Sequence, residues 1–344
     1  MTTLTSNLNL IPQHSKNHQQ HQNSSIVEEI KGLIRVHKDG YIERPNIVPC
    51  VTTDLSPNLN VISRDIIIDN VTNIWARFYV PNSQIKKLPL LVYFHGGGFC
   101  VGSAAWSCYH EFLAMLCSKI GCLIMSVNYR LAPENPLPAP YDDGLNSLIW
   151  LKKQFLYQNE NSEFSWWTKK CNFSNVFLGG DSAGGNIAYN VAKRVNLNSC
   201  EGNVLRPLNL KGLILIQPFF GGKIRTESEK CIAGSALNLV ASDTYWRLAL
   251  PYGEDRDHPW CNPLVKLEEL KVLMMPMLVC ISEMDILKDR NLEFCDALES
   301  VGKRVEYEVF KGVGHAFQIL SKSHVSKIRV VQMMDCVKSF MDLS

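Results

Sequence analysis

The chain reads Gly180-Asp181-Ser182-Ala183-Gly184-Gly185 between a short apolar run, 176–179, and a helix-like segment, 186–195. This order is typical of a strand, a sharp turn and a helix, with a serine at the apex of a G-x-S-x-G pattern. Such a turn strains the backbone of the serine and tolerates only small residues beside it. The hydroxyl then stands above the sheet, near the unpaired N–H groups of a helix N-terminus. We predict that Ser182 is a nucleophile; the alternative is a glycine-rich turn that happens to hold a serine.

Three further motifs accompany this turn in the order that α/β-hydrolases use, which is serine, acid, histidine. A histidine and three glycines precede it, in the stretch 95–99, directly after an apolar run. Asp285 follows a second apolar run, and His315 lies in the loop 312–317. The interval from Ser182 to Asp285 leaves room for two strands and an insertion, and the next interval fits one helix and one strand. The pattern predicts a triad of Ser182, Asp285 and His315.

Length and composition indicate one large α/β domain. The chain has 344 residues, of which 46% are hydrophobic, and a net charge of +2. It can therefore bury a large core. Without a basic block, nucleic acid and anionic membrane surfaces are unexpected partners.

The twelve cysteines form no C-x-x-C pair and lie at no zinc-finger spacing. We expect reduced thiols, no metal and no cofactor. No hydrophobic signal segment follows a basic start, and no apolar run approaches the roughly 18 residues of a membrane span. These features predict a cytoplasmic protein, with the nucleus as a second location.

The organisation along the chain is a polar tail over 1–25, expected to be disordered, and an α/β domain over 26–344. Buried strands alternate with helices, which predicts a mostly parallel sheet with helices on both faces. Between 219 and 264 this alternation breaks, and we expect an inserted cap there. Strands are predicted at 61–69, 74–80, 88–94, 122–129, 176–179, 210–217, 277–281 and 305–310. Helices are predicted at 106–120, 141–155, 186–195, 242–250, 288–301 and 323–341.

Four motifs together resemble the plant carboxylesterases, the hormone-sensitive-lipase-like branch of the α/β-hydrolases. They are His95-Gly96-Gly97-Gly98-Phe99, Asn128-Tyr129-Arg130-Leu131-Ala132-Pro133-Glu134, Gly180-Asp181-Ser182-Ala183-Gly184-Gly185-Asn186 and Gly314-His315-Ala316-Phe317. The resemblance runs from about residue 27 to the C-terminus. It implies an eight-stranded hydrolase core with a cap built partly from the N-terminal segment, and a monomer or homodimer.

The sequence departs from the family pattern near the acid. Members often carry glycine two residues before the acid, where this chain has Glu283. Asp289 is the alternative acid, and we favour Asp285 because it lies closer to the end of a strand. Asp285 could also serve as the N-cap of the following helix.

The glycine run is predicted to stabilise a negative oxygen on the substrate. Backbone N–H groups of Gly97, Gly98 and Ala183 are the expected donors, with Gly96 shaping the turn, because a Cβ would block close approach of the backbone. We expect His95 to brace this loop, Asp181 to anchor the serine turn, and Tyr129 and Arg130 to pack or pair. The substrate-pocket candidates are four aromatic residues, which could equally be ordinary core residues: Phe219, Phe220, Trp246 and Phe317.

The predicted activity is that of a serine carboxylesterase acting on a small to medium ester. The resemblance leaves two alternative functions open. Some plant relatives are cyclases or eliminating enzymes of specialised metabolism. Gibberellin receptors keep the fold but lack the catalytic histidine, whereas His315 is present here.

Overall fold

The computed structural model describes residues 24–84, 87–157, 162–197, 205–233 and 236–344. Residues 1–23 of the predicted disordered tail lie outside the described residues. Within these ranges the chain forms one eight-stranded sheet flanked by helices and one small three-stranded sheet.

The large sheet matches the strand predictions and extends several of them. Its strands in chain order are β4 (Val61–Asp69), β5 (Ile74–Pro81), β6 (Leu88–Phe94), β7 (Leu123–Asn128), β8 (Cys171–Asp181), β9 (Leu210–Ile216), β10 (Met277–Met284) and β11 (Val305–Gly314). The spatial order is β11-β10-β9-β8-β6-β7-β5-β4. β5 is antiparallel to both of its neighbours, β4 and β7, and every other pairing is parallel. The predicted α/β-hydrolase fold is confirmed.

Helices cover both faces of this sheet, as predicted. They are α1 (Ser107–Ile120), α2 (Ala139–Leu156), α3 (Ser165–Thr168), α4 (Ala183–Leu197), α5 (Glu227–Cys231), α6 (Leu239–Ala249), α7 (Leu267–Leu270), α8 (Lys288–Ser300), α9 (Phe317–Leu320) and α10 (His324–Leu343). Side chains alternate along β6: Leu90 and Val92 point into the core beneath α2, α4 and α8, and Leu91 into the core beneath α1 and α10. A strand buried on both faces must be apolar throughout, which explains the continuous run in the sequence.

The N-terminal segment forms the small sheet, with β1 (Ile26–Ile30), β2 (Ile34–His37) and β3 (Ile42–Glu43) paired antiparallel. A turn that contains Asp39 and Gly40 connects β2 and β3. This sheet packs against α6, and Arg247 of α6 bonds Glu28 of β1 at 2.9 Å. The segment 219–264, where the alternation breaks, contributes α5 and α6.

The strand ends determine where the predicted site residues lie. β8, β10 and β11 are parallel and end at Asp181, Met284 and Gly314. The residues that follow them are Ser182, Asp285 and His315. Carboxyl ends of parallel strands meet at one edge of a sheet, so distant parts of the chain converge there. In the described ranges, no helix is both long enough and apolar enough to cross a membrane.

Candidate active site

Ser182 occupies a strained turn between β8 and α4. Its φ is +52°, in the left-handed region that a residue with a side chain rarely adopts. The turn is held on both sides, since the N–H of Ser182 donates to Ile216 at 2.8 Å and its carbonyl accepts from Phe219 at 2.9 Å. These bonds, to the last residue of β9 and to the segment after it, hold the serine in this conformation.

The glycines beside Ser182 are required by close backbone contacts. A Cβ on Gly184 would lie 1.9 Å from the carbonyl oxygen of Phe94. A Cβ on Gly180 would lie 2.4 Å from the backbone of Gly184. The first turn of α4 therefore packs directly on the ends of β6 and β8, which no larger residue would permit.

Of the three predicted triad residues, His315 lies within hydrogen-bond distance of both Ser182 and Asp285. His315 Nε2 is 2.9 Å from Ser182 Oγ, and His315 Nδ1 is 2.7 Å from Asp285 Oδ2. All three side chains are buried. A carboxylate accepts, so Nδ1 carries the proton and Nε2 is left to accept from the serine hydroxyl.

The charges around His315 favour its protonated form. Burial by itself lowers the pKa of His315, but the charge of Asp285, the hydrogen bond to Asp285 and the charge of Asp181 together raise it above its usual value. An imidazole with a raised pKa is a stronger base than free histidine. Asp285 is itself held by the backbone N–H of Leu287, which donates to Oδ1 at 3.1 Å.

The alternative acid lies elsewhere. Asp289 Oδ2 accepts from the N–H of Ser228 at 2.7 Å, at the start of α5, and so ties α5 to α8. Glu283, the departure from the family pattern, accepts from the N–H of Gly312 at 2.8 Å. It therefore links the ends of β10 and β11 instead of facing His315.

In the glycine run after β6, the φ angles of Gly97 and Gly98 are positive, at +107° and +57°, and Phe99 follows at +65°. A Cβ on Gly98 would lie 2.3 Å from the ring of Tyr245. No hydrogen bond among the described residues uses the N–H groups of Gly97 and Gly98. Gly96 differs, because its N–H donates to Tyr109 at 2.7 Å and to Asp181 at 3.1 Å. Gly96 therefore shapes the loop, because its N–H is already used in bonds within the protein.

Asp181 connects this loop to the serine turn. Its carboxylate accepts from the hydroxyls of Tyr93 at 2.8 Å and Tyr109 at 2.9 Å, as well as from Gly96. Burial raises the pKa of Asp181 to about 6, and the hydrogen bonds from the two tyrosines and the charge of His315 oppose that rise. The predicted anchoring role thus extends to the glycine loop.

The remaining family-motif residues have structural contacts. His95 stacks on Tyr129 with ring centroids 4.3 Å apart, and the Tyr129 hydroxyl donates to the carbonyl of His95 at 2.8 Å. Burial lowers the pKa of His95 to about 4, so this ring is neutral at physiological pH. Arg130 pairs with the buried Asp143 at 2.6 Å.

The four predicted pocket residues are all packed in the core, with 2% exposure at most. Phe219 stacks on Trp246 with centroids 4.6 Å apart, whereas Phe220 packs on Tyr189 and Phe294. Phe317 packs on Phe310. The neighbours of Phe220 and Phe317 are core side chains of α4, α8 and β11, which favours for these two the alternative of ordinary core residues.

Tyr245, which the pocket prediction does not include, contacts the glycine loop. Its ring lies against Gly98, next to the donors predicted for the negative oxygen. The prediction names its neighbour Trp246 as a pocket candidate. The sequence shows an aromatic pair in a helix but not which ring faces the glycine loop. Tertiary packing orients α6 so that the ring of Tyr245 contacts Gly98.

The chain is similar to known proteins over most of its length. The α/β hydrolase fold family matches residues 91–319. Probable carboxylesterase 6 of Arabidopsis thaliana is 50% identical over 92% of this chain and 91% of its own length. The chain belongs to the plant carboxylesterase family of α/β-hydrolases. Gibberellin receptor GID1A of Arabidopsis thaliana is 34% identical over 82% of this chain and 81% of its own length.

A solved structure agrees with this membership. The esterase of Pyrobaculum calidifontis superposes on this chain with a TM-score of 0.66 and 26% sequence identity. The superposition covers 80% of this chain and 84% of that one. In the described residues, no group of three or more histidine, cysteine, aspartate and glutamate side chains is arranged to hold a metal ion.

Proposed function

We propose that this chain is a serine carboxylesterase that hydrolyses a small to medium carboxylic ester through an acyl-enzyme on Ser182. The observation that carries the proposal is the continuous hydrogen-bonded series from Ser182 Oγ through His315 to Asp285. A serine hydroxyl is a weak nucleophile unless an adjacent base takes its proton, and His315 Nε2 is in place to do so.

The reaction follows from this geometry in two halves. Ser182 Oγ attacks the ester carbonyl carbon while its proton passes to His315 Nε2. The tetrahedral intermediate collapses, the alcohol leaves with the proton from His315, and an acyl-enzyme remains. Water then attacks the acyl-enzyme, giving its proton to His315, which returns it to Ser182 as the acid departs. Asp285 keeps the imidazole oriented and stabilises its charged form.

The negative oxygen of each intermediate needs donors, and the N–H groups of Gly97, Gly98 and Ala183 are our candidates. The first two have no other hydrogen bond among the described residues. Ala183 begins α4, where the first N–H groups of a helix have no partner within the helix. Removal of one such donor typically costs about 2.7–4 kcal/mol of transition-state stabilisation.

We further propose that residues 219–264 and the small N-terminal sheet act as a cap over this site. Tyr245 of α6 contacts Gly98, and Arg247 of the same helix bonds Glu28 of β1. One helix thus touches both the glycine loop and the N-terminal segment. The shape of the acyl and alcohol pockets then depends on α6. The cytoplasmic location and the monomeric or homodimeric state remain predictions from the sequence.

Hydrolysis of p-nitrophenyl acetate and p-nitrophenyl octanoate by the wild type and by Ser182→Ala tests the function. We expect turnover that collapses in the variant, and the ratio between the two esters would measure the acyl pocket. A folded wild type with no turnover would contradict the proposal of a general esterase.

The two alternatives give different results in companion assays. A cyclase or eliminating enzyme would change a plant metabolite without the mass gain of water, which mass spectrometry detects. A receptor would bind a small molecule without changing it. The bond between His315 and Ser182 favours hydrolysis over a receptor role.

A further inference from the structure

The end of β9 lies between the ends of β8 and β10, so four neighbouring strands end in a row at the same edge of the sheet. Three of these ends are followed by Ser182, Asp285 and His315. The fourth is followed by Gln217, which is 1% exposed and has a φ of +46°. A polar side chain that is buried and held in the left-handed region points to a specific role.

The side chain of Gln217 bonds the elements that carry the other two residues. Its Oε1 accepts from the N–H of Ala316 at 2.6 Å, which is the peptide group directly after His315. Its Nε2 donates to the hydroxyl of Ser282 on β10 at 2.7 Å, three residues before Asp285. One uncharged amide therefore connects the histidine loop to the strand of the acid.

The backbone around Gln217 makes the corresponding bonds to the serine turn and to β10. The N–H of Gln217 donates to Cys280 at 2.7 Å, and the preceding carbonyl, of Ile216, accepts from Ser182 at 2.8 Å. Displacement of this residue would therefore change the distances among all three members of the triad.

We propose that Gln217 is a positioning residue that holds the imidazole of His315 in register with Ser182 and Asp285. Its Oε1 fixes the peptide that follows His315, and Ala316, at φ +56°, has a conformation that needs such support. The amide carries no charge, so it orients the ring and leaves its proton affinity to Asp285 and Asp181. This inference rests on the proposed esterase function for its kinetic consequence, but not for its structural one.

The test compares Gln217→Met with Gln318→Met. Both remove a buried glutamine amide while keeping an unbranched side chain. Gln318 lies in α9, and its Oε1 accepts only a 3.5 Å bond from Gln217 Nε2, so its replacement leaves the bonds of Gln217 to Ala316 and Ser282 in place. We expect Gln217→Met to lower kcat on p-nitrophenyl acetate by about 10–100-fold with KM within about twofold, because a misplaced catalytic group loses rate without losing binding. Gln318→Met is expected to stay within about threefold of the wild type.

A measurement without substrate separates this inference from the esterase proposal. The proton shared by His315 Nδ1 and Asp285 gives a far-downfield NMR resonance. We expect it in the wild type and in Gln318→Met, and we expect it to be broadened or lost in Gln217→Met. Loss of the resonance in the variant of a protein that hydrolyses no ester would support the positioning role while the esterase proposal fails.

Two further variants decide the matter if Gln217→Met does not fold. Gln217→Glu keeps an oxygen for Ala316 and adds a negative charge, so we expect partial recovery of turnover and an acid limb of the kcat/KM profile at higher pH. Ser282→Ala removes only the shorter of the two bonds that Nε2 donates and should give a smaller loss. Unchanged kcat and an unchanged resonance in Gln217→Met, or in both Gln217→Glu and Ser282→Ala, would overturn the proposal.

Discussion

The serine turn and the histidine loop are built in opposite ways, although they meet at one hydrogen bond. Ser182 is held by backbone contacts, with Gly184 packed against the carbonyl of Phe94. The loop of His315 is held by side chains from other strands, Asp285 and Gln217. A turn fixed by backbone contacts requires a glycine pattern in the sequence. A loop fixed by distant side chains requires almost no such pattern.

This difference has a consequence for how the two regions respond to substitution. Where backbone atoms touch, an added methyl group has no space and the neighbour cannot rotate away. Where side chains make the contacts, a substitution loses a hydrogen bond but leaves the packing in place. Substitutions in the serine turn should therefore destabilise the fold, whereas substitutions in the histidine loop should mainly lower the catalytic rate.

The largest expected effect is the loss of kcat when Ser182 or His315, one from each region, is replaced. Ser182→Ala and His315→Ala should each lower kcat by about 10⁵–10⁶-fold, and the double variant should be no worse than either, as found for groups that act together. Steady-state kinetics with p-nitrophenyl acetate measures this, with circular dichroism as the control for folding. Losses that multiply in the double variant would show that the two residues work independently.

The next effect distinguishes the two candidate acids. Asp285→Asn should lower kcat by about 10⁴-fold, because the imidazole would be held in the wrong tautomer. Asp289→Asn is the matched control, since this carboxylate bonds the start of α5 and not His315. We expect it to change kcat by less than about threefold and to lower the unfolding temperature. The reverse pattern would assign the acid role to Asp289.

A smaller effect tests the backbone packing of the serine turn. Gly184→Ala should reduce the free energy of unfolding by about 3 kcal/mol, because its Cβ meets a main-chain carbonyl at 1.9 Å. In Gly185→Ala the nearest atoms are those of Pro218 at 3.2 Å, and we expect a loss of about 1 kcal/mol or less. Urea denaturation of both variants gives the comparison. Equal losses would mean that the turn has room to adjust.

The smallest effect is a shift of the pH profile. The charge of Asp181 helps to raise the pKa of His315, so Asp181→Asn should lower that pKa. Catalysis needs the neutral imidazole, and its loss as the pH falls should then occur at lower pH in the variant. The shift is expected to be less than one pH unit, because Asp181 is not in contact with the ring.

The control for this shift is Glu111→Gln, which removes an exposed carboxylate on α1. Its acid limb should stay where it is in the wild type. An acid limb that moves to higher pH in Asp181→Asn, or does not move, would exclude an electrostatic role for Asp181. Because Asp181 has a pKa of about 6, its influence should be greatest above that pH.

Much of the fold could be predicted because its strands are buried on both faces. Leu88–Phe94 is a continuous apolar run with the same limits in the sequence and in the structure. β8 is longer than its predicted strand: it begins at Cys171, which pairs with Leu88 of β6, and it includes the polar residues Asn172, Ser174 and Asn175, which interrupt the apolar pattern. The apolar pattern marks the buried centre of a strand, and pairing with neighbours decides where it ends.

The site could be predicted only in part, for a related reason. Ser182, Asp285 and His315 follow strands, and parallel strands end at one edge, so the order of motifs was enough to bring them together. The pocket role of Phe220 and Phe317 stays a prediction, because an aromatic side chain suits a core as well as a pocket. Gln217 left no signal beyond its position at the end of a strand.

The sequence by itself determined the strand-turn-helix around Ser182 and the edge of the sheet where the polar residues meet, because glycine spacing and apolar runs are local properties. Only the tertiary structure decided that Asp181 holds the N–H of Gly96, that Tyr245 lies on Gly98 and that Gln217 holds the peptide after His315. Each of these contacts joins residues that are far apart in the chain. Its geometry depends on how strands and helices pack, which no local pattern of residues specifies.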